Sequence, residues 1–492
     1  FSNAITIGAN NAAASRGILE AGTTAGTATI SGPITINNAA VAGGHFAAPT
    51  AGTVLNVTGV ITSSVDVTAR LGTVVFSGGG TGYTGFINSQ DTTAIGASNG
   101  LATTATLTIA ASAAGSFDLA GFNQSLVGII KGGSTATIGN SSTTSDSTLT
   151  LTGTSTYAGV IQNALSSGTR KVNLFVNGGS LTLTGVNTYS GTTTVGTGTL
   201  ALSTAGAATL TALTVTGTGG IFDISGVTPT SATIASLAGG TGASVTLGAK
   251  TLNTGSDNTS TTFAGAISST SGGLTKQGTG TMTLTSGNTY SGTTTISAGT
   301  LQLGDGTSGN DGTISNSLSI VNNAALVYNR FGSLAYGGAI SGSGTVTKMG
   351  VGTQILSGTN TYAGATTVTA GTLQFARESS LYNNVAASWT ATNLVVSSGA
   401  TAAFNVGGTG EFTASDIATI QPLGTATGGF EDGSKIGLDT SNATSGRFTY
   451  STAIADTNAG ANSVGLAKLG TGALVLDQAS TYTGGTTVSG GT

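Results

Sequence analysis

Carboxylates and a single histidine are the residues of this chain whose types could do chemistry. A glycosidase needs two carboxyl groups across one sugar bond, yet most of the 17 Asp and Glu residues stand alone in the sequence. The isolated carboxylates include Glu20, Asp66, Asp91, Asp118, Asp146, Asp223, Asp257 and Asp477. His45 has no second histidine with which to bind a metal, and no serine–histidine–aspartate pattern surrounds it. We therefore expect His45 to lie in an exposed turn.

Two short acidic segments need a closer look. The densest one, "FEDGSKIGLD", contains Glu431, Asp432, Lys435 and Asp439. A solvated loop is the favoured interpretation, and a metal or catalytic site is the alternative. The segment "GDGTSGNDGT" contains Asp305 and Asp311 but lacks the glutamate that ends a calcium-binding loop, so it predicts a turn between coils. The sequence thus predicts no catalytic, cofactor-binding or metal-binding residues.

Trp389 and three lysines could instead bind an external ligand. Trp389 is the sole tryptophan and could stack on a sugar, but we expect it to pack in a small cluster inside the coil. Lys276, Lys348 and Lys468 recur at one position of a repeated phrase. They could form a basic row for an anionic polysaccharide. The favoured interpretation is an outward lysine that blunts a strand edge or covers apolar surface with its stem.

The composition excludes several classes of protein. The chain has 492 residues, of which 6% are charged and 82 are glycine, against usual shares of about 25% and about 7%. The 13 basic residues are scattered and the net charge is −4, which argues against nucleic-acid binding. There is no cysteine, and no apolar stretch approaches the roughly 18 residues of a membrane span. A hydrophobic share of 38% argues against intrinsic disorder.

One phrase returns along the chain and defines the elements that any site must use. "SGNTYSGTTTISAGTLQL" at 286–303 has close copies at 185–202 and 358–375. The pieces "TMTLT", "TTTIS" and "TLQL" alternate small polar and aliphatic residues, which predicts short half-buried strands. We expect Asn288 and Gly292 to turn the chain, Tyr290 to pack across this corner, and Ile296 and Leu301 to face inward with Leu303.

Short strands, glycine turns and unequal spacers favour an all-β parallel β-helix (β-solenoid) that forms a single elongated rod. With about 20 to 25 residues in each coil, the chain would make about 20 coils. We divide it into degenerate coils at 1–147, coils with recognisable repeats at 148–375, variant coils or an insertion at 376–449, and a final incomplete repeat at 450–492. The stretch 376–389 is the one plausible helix.

The repeated phrase resembles the passenger-associated repeat of bacterial autotransporters and related giant surface proteins. The resemblance covers 273–303, 344–375 and 465–492, with the second half of the phrase at 185–202. The upstream part of this last copy, "NLFVNGGS", lacks the lysine and is one residue shorter. The segment 394–412 resembles material that accompanies such repeats. The family implies a right-handed parallel β-helix outside the cell that assists secretion or folding of a passenger and catalyses no reaction.

These observations predict a non-enzymatic, exported, extracellular structural β-solenoid that uses no cofactor. It would serve as a surface passenger, adhesin stalk or fibre subunit. The last copy of the phrase stops at Thr492 before its leucine, and an uncapped coil leaves its edge unpaired. We therefore expect end-to-end self-association into a filament, with contact to a cell surface or polysaccharide as a further expectation. The alternative is a carbohydrate-active β-helix, a polysaccharide lyase or hydrolase.

Overall fold

The computed structural model describes residues 1–492 except 8–16, 23–24, 37–42, 81, 111–114, 131–132, 205–208 and 315. About 45% of the chain is strand and 5% is helix. The chain divides into two compact units, Phe1–Thr246 and Leu247–Thr492. The four segments drawn from the sequence, with boundaries at 147, 375 and 449, stay a prediction.

The first unit is built from short strands joined by turns. Its strands are Ile5–Ile7, Gly17–Glu20, Gly26–Ile30, Ile34–Ile36, Gly44–Ala47, Thr53–Val57, Ile61–Ser63, Val67–Arg70, Thr73–Phe76, Phe86–Ser89, Thr92–Ile95, Thr106–Ile109, Ser116–Asp118, Gln124–Leu126, Gly128–Ile130, Thr137–Asn140, Ser147–Leu151, Ser155–Tyr157, Val160–Ala164, Val172–Val176, Ser180–Leu183, Thr193–Val195, Thr199–Ser203, Thr209–Leu210, Leu213–Val215, Ile221–Gly226, Ser231–Ile234, Leu237–Gly239 and Ser244–Thr246.

The second unit has the same construction with a small helical insertion. Its strands are Thr251–Thr254, Thr261–Phe263, Ala266–Ser268, Gly273–Lys276, Thr281–Leu284, Thr294–Ile296, Thr300–Leu303, Ser319–Asn322, Ala325–Asn329, Ser333–Tyr336, Ala339–Ser341, Thr345–Met349, Thr353–Leu356, Thr366–Val368, Thr372–Phe375, Leu394–Val396, Thr401–Asn405, Gly424–Thr425, Gly428–Phe430, Lys435–Asp439, Arg447–Tyr450, Gly465–Leu469, Ala473–Leu476 and Thr486–Val488. Its helical elements are the α-helix Ala414–Ile420 and the 3₁₀ turns Glu378–Ser380, Tyr382–Asn384, Ala386–Ser388, Thr444–Gly446 and Asn458–Gly460.

Strands of successive coils pair in parallel, so that like positions stack into ladders through the interior. One inward ladder in the second unit runs through Leu284, Leu303, Tyr328, Lys348, Val368 and Val396. The predicted inward residues Ile296, Leu301 and Leu303 are fully buried, as is Tyr290. The predicted all-β parallel β-solenoid is thus confirmed, with about 20 turns of chain.

Glycine is required at the corners because successive coils approach closely there. A Cβ on Gly292 would lie 2.5 Å from the carbonyl oxygen of Gly272, one coil earlier. Gly278 has φ of +63°, in the left-handed region that favours glycine. The predicted turning role of Gly292 therefore follows from backbone crowding between coils.

The stretch 376–389 is where the local prediction was wrong. It forms the first three 3₁₀ turns of the second unit and not one helix, and Tyr382, Asn383 and Asn384 all have positive φ. The α-helix lies further on, at Ala414–Ile420. Its start carries a capping box, in which Thr413 accepts from Asp416 N and the Asp416 side chain accepts from Thr413 N. The sequence T-x-x-D was the available signal for this helix.

Candidate functional site

In each copy of the repeated phrase, strands of the first half pair with strands of the second half. Lys276 lies in register with Ile296, and Leu284 with Leu303, one coil further along. Ladder pairs at the same places occur in the other copies: Val176 with Val195, Leu183 with Leu202, Lys348 with Val368, Leu356 with Phe375, and Lys468 with Val488. One copy therefore supplies two stacked layers, and its first half forms the surface on which its second half packs.

The recurrent lysines point into the coil, so both interpretations made from the sequence were wrong. Lys276, Lys348 and Lys468 are each at most 2% exposed. The Lys348 Nζ donates to the carbonyl oxygens of Met349, Gly350 and Ala370 at 2.7, 2.8 and 3.2 Å. Lys276 and Lys468 make the corresponding three bonds. Three carbonyls match the three donors of an ammonium group, so these lysines cannot form an outward basic row.

Burial makes this ammonium position costly. Desolvation lowers the pKa of Lys276 and Lys468. Desolvation, with a smaller contribution from the nearby Arg330 charge, lowers the pKa of Lys348 to about 8. Arg330 is itself buried, donates from Nε to Gln354 Oε1 at 3.1 Å, and lies 5.5 Å from the Tyr328 ring centre. The charges inside the coil are therefore held by carbonyl, amide and aromatic groups.

In each copy of the repeated phrase, an asparagine or serine at the corner fastens one coil to the previous one. Asn288 Oδ1 accepts from Ile267 N at 2.9 Å, while its Nδ2 donates to Ser286 O and Thr313 O, both at 3.0 Å. The same acceptor position in the other copies is held by Asn187, Asn360 and Ser480, which accept from Ile161, Ile340 and Ile454. The predicted turning role of Asn288 is thus a hydrogen-bonded link between coils.

The repeated tyrosine forms a pair with a threonine four residues later. The Tyr290 hydroxyl lies 2.8 Å from Thr294 Oγ1 in the buried interior. The other copies have the pairs Tyr189–Thr193, Tyr362–Thr366 and Tyr482–Thr486 at 2.6 to 2.7 Å. Burial raises the pKa of Tyr290 above its ordinary value, so its hydroxyl stays protonated and hydrogen-bonded.

Isolated carboxylates accept hydrogen bonds from backbone N–H groups at the corners. Asp66 accepts from Phe86 N at 3.1 Å, and Asp146 accepts from Lys171 N at 2.9 Å. Further examples are Asp91 with Gly72 N, Asp118 with Ser141 N, Asp223 with Ser225 N, Asp257 with Thr259 N and Asp456 with Thr483 N. These contacts satisfy backbone donors that the ladders leave open.

The acidic segment 430–439 is only partly the loop that was predicted. Asp432 lies in an exposed turn and accepts from Ser463 N at 2.9 Å. Lys435 begins and Asp439 ends a strand of the second unit. Asp439 Oδ2 accepts from Gln374 Nε2 at 2.8 Å. Lys435 and Asp439 are both half-buried at opposite ends of this strand, and Asp439 is bonded to Gln374, so the four charges of the segment do not form one exposed cluster.

The segment with Asp305 is a turn, as predicted. Asp305 accepts from Thr307 N at 2.9 Å and from Asn310 Nδ2 at 2.8 Å. Asp311 accepts from Phe331 N and Gly332 N, both at 2.7 Å. Within the described part of the chain, no group of three or more His, Cys, Asp or Glu residues is arranged to hold a metal ion.

Two carboxyl groups come close together beside the 3₁₀ turns. The pKa of Glu378 is raised, mainly by desolvation and also by the charge of Asp416 and a hydrogen bond to it. Asp416 is already committed to the capping box of the α-helix, where it accepts from Thr413 N at 2.8 Å. Glu378 Oε2 accepts from Asn384 Nδ2 at 2.8 Å, so both carboxyl groups are bonded to neighbouring groups of the chain, which fits a structural role.

His45 and Trp389 are both buried. His45 lies in the strand Gly44–Ala47, is 2% exposed and has Arg70 Nη1 3.2 Å from its Nδ1, so the predicted exposed turn was wrong. Trp389 donates from Nε1 to Leu381 O at 3.2 Å and packs on Phe412 with ring centres 6.1 Å apart. The predicted interior cluster around Trp389 is confirmed.

In the residues that the structure describes, we find no helix with the length and apolar character of a membrane span. Comparison with curated proteins gives no significant match, and comparison with solved structures gives none either. A family model does match, and the matched ranges coincide with the self-pairing copies described above. Four ranges, 177–202, 274–303, 346–375 and 466–492, match the model of the passenger-associated-transport-repeat, which is consistent with an autotransporter passenger repeat protein.

Proposed function

We propose that this protein is an exported, extracellular structural β-solenoid, a surface passenger, adhesin stalk or fibre subunit, and that it is not an enzyme. The observation that carries the proposal is the set of four passenger-associated-transport-repeats. Their recurrent polar side chains, such as Lys348 and Asn288, bind neighbouring backbone groups of the same chain. A side chain used in this way stabilises stacked coils and has no role in binding a substrate.

The disposition of the carboxylates supports a non-enzymatic role. Hydrolysis of a glycan requires an acid and a second carboxylate at a fixed separation across one bond. Asp66, Asp91 and Asp146 instead accept from backbone N–H groups at separate corners. An incubation of the whole chain with neutral and anionic polysaccharides is expected to release no reducing ends or unsaturated products. Release of either product would contradict the proposal.

We also propose that copies associate end to end. Ile296 and Val368, at one position of two copies, are buried and paired in parallel with a strand of the following coil. Stacking of a further strand is thus how this chain covers that position. In the proposed contact the strand Ile5–Ile7 of a second copy stacks on the strand Thr486–Val488 in the same way, a heterologous contact that repeats without closing.

Localisation tests the first proposal. Antibodies against the chain are expected to label the surface of intact native cells or to detect the protein in the medium. Protease added to intact cells is expected to remove the surface signal while a cytoplasmic marker survives. Detection of the chain only after cell lysis would contradict an exported role. The same preparation can be tested for binding to host cells and to polysaccharide, which the proposal expects of an adhesin stalk.

A matched pair of substitutions tests the end-to-end contact. Val488→Asp places a charge on the surface proposed to be covered, and Val351→Asp places the same charge on a turn residue that is 72% exposed. Sedimentation and electron microscopy of the 492-residue chain are expected to show filaments for the original protein and for Val351→Asp, but monomers for Val488→Asp. Monomers of the original protein at high concentration would contradict self-association.

A further inference from the structure

A polar cleft opens at one edge of a sheet in the second unit. It has a volume of about 330 Å³. Its lining comes from residues at or just after the carboxyl ends of four parallel strands that pair in sequence, Thr353–Leu356, Thr372–Phe375, Thr401–Asn405 and Lys435–Asp439. Asn405 and Glu411 form the floor, at 9% and 6% exposure. Arg377, Thr409 and Asn442 are exposed at the rim.

The floor of the cleft is held rigid by a chain of hydrogen bonds. Gln374 Nε2 donates to Asn405 Oδ1 at 2.7 Å and to Asp439 Oδ2 at 2.8 Å. Because the Asn405 oxygen is occupied by Gln374, the Asn405 amide directs its N–H groups toward Glu411, where Nδ2 lies 3.4 Å from Oε1. The orientation of this amide is thus fixed by the coil on which it stacks.

Glu411 is fixed from two further directions. Asn442 Nδ2 donates to Glu411 Oε1 at 2.7 Å, and Gly408 N donates to Oε2 at 2.9 Å. A carboxylate has about four acceptor positions, so Oε2 keeps capacity for a ligand hydroxyl. A fixed carboxylate acceptor beside a fixed amide donor is the polar pattern that a pair of adjacent hydroxyl groups satisfies, since each hydroxyl both donates and accepts.

The size of the cleft and the charges of its lining further restrict the class of ligand that it can bind. The cleft lies at the small end of the range of ligand pockets, which begins at about 300 Å³, so it suits one ring and not a long chain segment. Arg377 and Glu411 bring one positive and one negative charge to the lining, which favours a neutral ligand. We propose that this cleft binds a single sugar unit of a neutral, hydroxyl-rich glycan. The proposal rests on the extracellular role proposed above, where such glycans are met.

The cleft is suited to binding and not to cleavage. Glu411 is the carboxylate among its lining residues, and glycoside hydrolysis needs a second one on the other side of the bond. Asp439 is connected to the floor through Gln374, which donates both to it and to Asn405. Arg377, Glu411 and Asn442 lie outside the matched repeats. The residues of the proposed binding site are therefore distinct from the repeat residues that stack the coils.

Saturation-transfer NMR of the whole chain tests the cleft. The probes are the methyl glycosides of glucose, galactose and mannose, with N-acetylglucosamine as a fourth. Transfer to the ring protons of at least one probe is expected. The substitution Glu411→Gln keeps the shape and removes the charge, and is expected to weaken that binding about tenfold, because hydrogen bonds to charged groups are the stronger ones. Arg377→Ala and Asn442→Ala, both on the exposed rim, are expected to weaken it less.

Arg170→Ala is the matched control, because Arg170 is also exposed but lies in the first unit. It is expected to leave binding unchanged, and circular dichroism melts are expected to coincide for all rim variants and the original chain. The absence of transfer to every probe would overturn the cleft proposal, as would equal binding by Glu411→Gln, Asn442→Ala and the original chain. Either result would leave surface labelling of intact cells unaffected, so failure here is distinguishable from failure of the proposed function.

Discussion

Lys276 stacks in register on Ile296, and its Nζ reaches past this partner to the carbonyl oxygen of Ala298 at 3.3 Å. The same ammonium also binds the carbonyls of Gln277 and Gly278, which follow it in its own turn. One side chain therefore joins the turn of one coil to the turn of the next. The repeat uses a charge, in a place where an aliphatic residue would ordinarily stand, to fix two corners together.

Replacing this lysine is expected to loosen the corner. In Lys276→Met the apolar stem is kept, but three carbonyls lose their donor, and the expected loss in the free energy of unfolding is about 1 to 3 kcal/mol. The control is Lys250→Met, because Lys250 lies in the same unit and is only half-buried. Urea unfolding of both variants checks this expectation. Equal stability of the two variants would show that the carbonyl contacts contribute nothing.

The tyrosine–threonine pair offers a second comparison within one chain. Tyr290 is fully buried and its partner Thr294 also contacts Ser317 Oγ at 2.9 Å, so Tyr290→Phe leaves buried hydroxyls with one partner fewer. The expected loss is about 1 kcal/mol. Tyr482→Phe removes the same bond at the solvent-exposed pair with Thr486 and is expected to change the free energy of unfolding little. Thermal melts of the two variants give the comparison, and a larger effect at Tyr482 would contradict it.

The role of the corner asparagine can be tested with serine, because one copy of the phrase has a serine at this position. Asn288→Ala removes the acceptor for Ile267 N and two donors, and a loss of about 2 kcal/mol is expected. Asn288→Ser is expected to recover part of this loss, because Ser480 accepts from Ile454 N at 3.1 Å in the last copy. Denaturant unfolding measures both variants. A serine variant as unstable as the alanine variant would show that the shared acceptor is not what matters.

Stability is expected to fall steeply at high pH because of the buried tyrosines. Burial raises the pKa of Tyr290 and Tyr362 above the ordinary value near 10. The unfolded chain therefore releases these phenol protons first. The contribution of these tyrosines to the free energy of unfolding is complete below pH 10 and is lost as the pH rises above this value. Circular dichroism and tyrosinate absorbance followed together are expected to change in one transition. Formation of most of the tyrosinate without loss of structure would contradict this prediction.

Lys348 is expected to make stability rise with pH, opposite to the effect of the tyrosines and at lower pH. Its pKa is lowered to about 8 in the folded chain from the ordinary 10.5, so between these values the unfolded chain binds more protons. Stability is therefore expected to rise slightly with pH from about 8 to about 10 before the tyrosines reverse the trend. Lys348→Met is expected to reduce the rise, to which Lys276 and Lys468 also contribute through their lowered pKa values, and to keep the fall. An unchanged rise in this variant would assign it to another group.

The alternation of residue types was enough to predict most of the fold. In "GLTK", Leu274 and Lys276 have the same parity, so period two alone places the lysine inside with the leucine. The outward interpretation, in which the lysine stem covers apolar surface, did not use this alternation. What the sequence does not show is that three backbone carbonyls converge where Nζ ends, since one of them belongs to the next coil.

The cleft could not be predicted from the sequence, again because its residues come from different coils. Asn405, Glu411 and Asn442 come from separate turns, and only the stacking of successive coils brings them together. Neighbouring residues along the chain gave no hint of this arrangement, because Glu411 looks like one more isolated carboxylate. The segment 394–412, which resembles material that accompanies such repeats, supplies the floor of the cleft but does not reveal its partners.

The self-pairing of each copy has a kinetic consequence. Layers that stack within one copy are joined by a short loop, as in the step from Leu284 to Leu303, and the entropy of closing that loop does not depend on how long the whole chain is. The separation of these paired positions is small relative to the 492 residues of the chain, and a low relative contact order favours faster folding. Each layer can therefore close as soon as the residues of its own copy are available, without waiting for the rest of the chain.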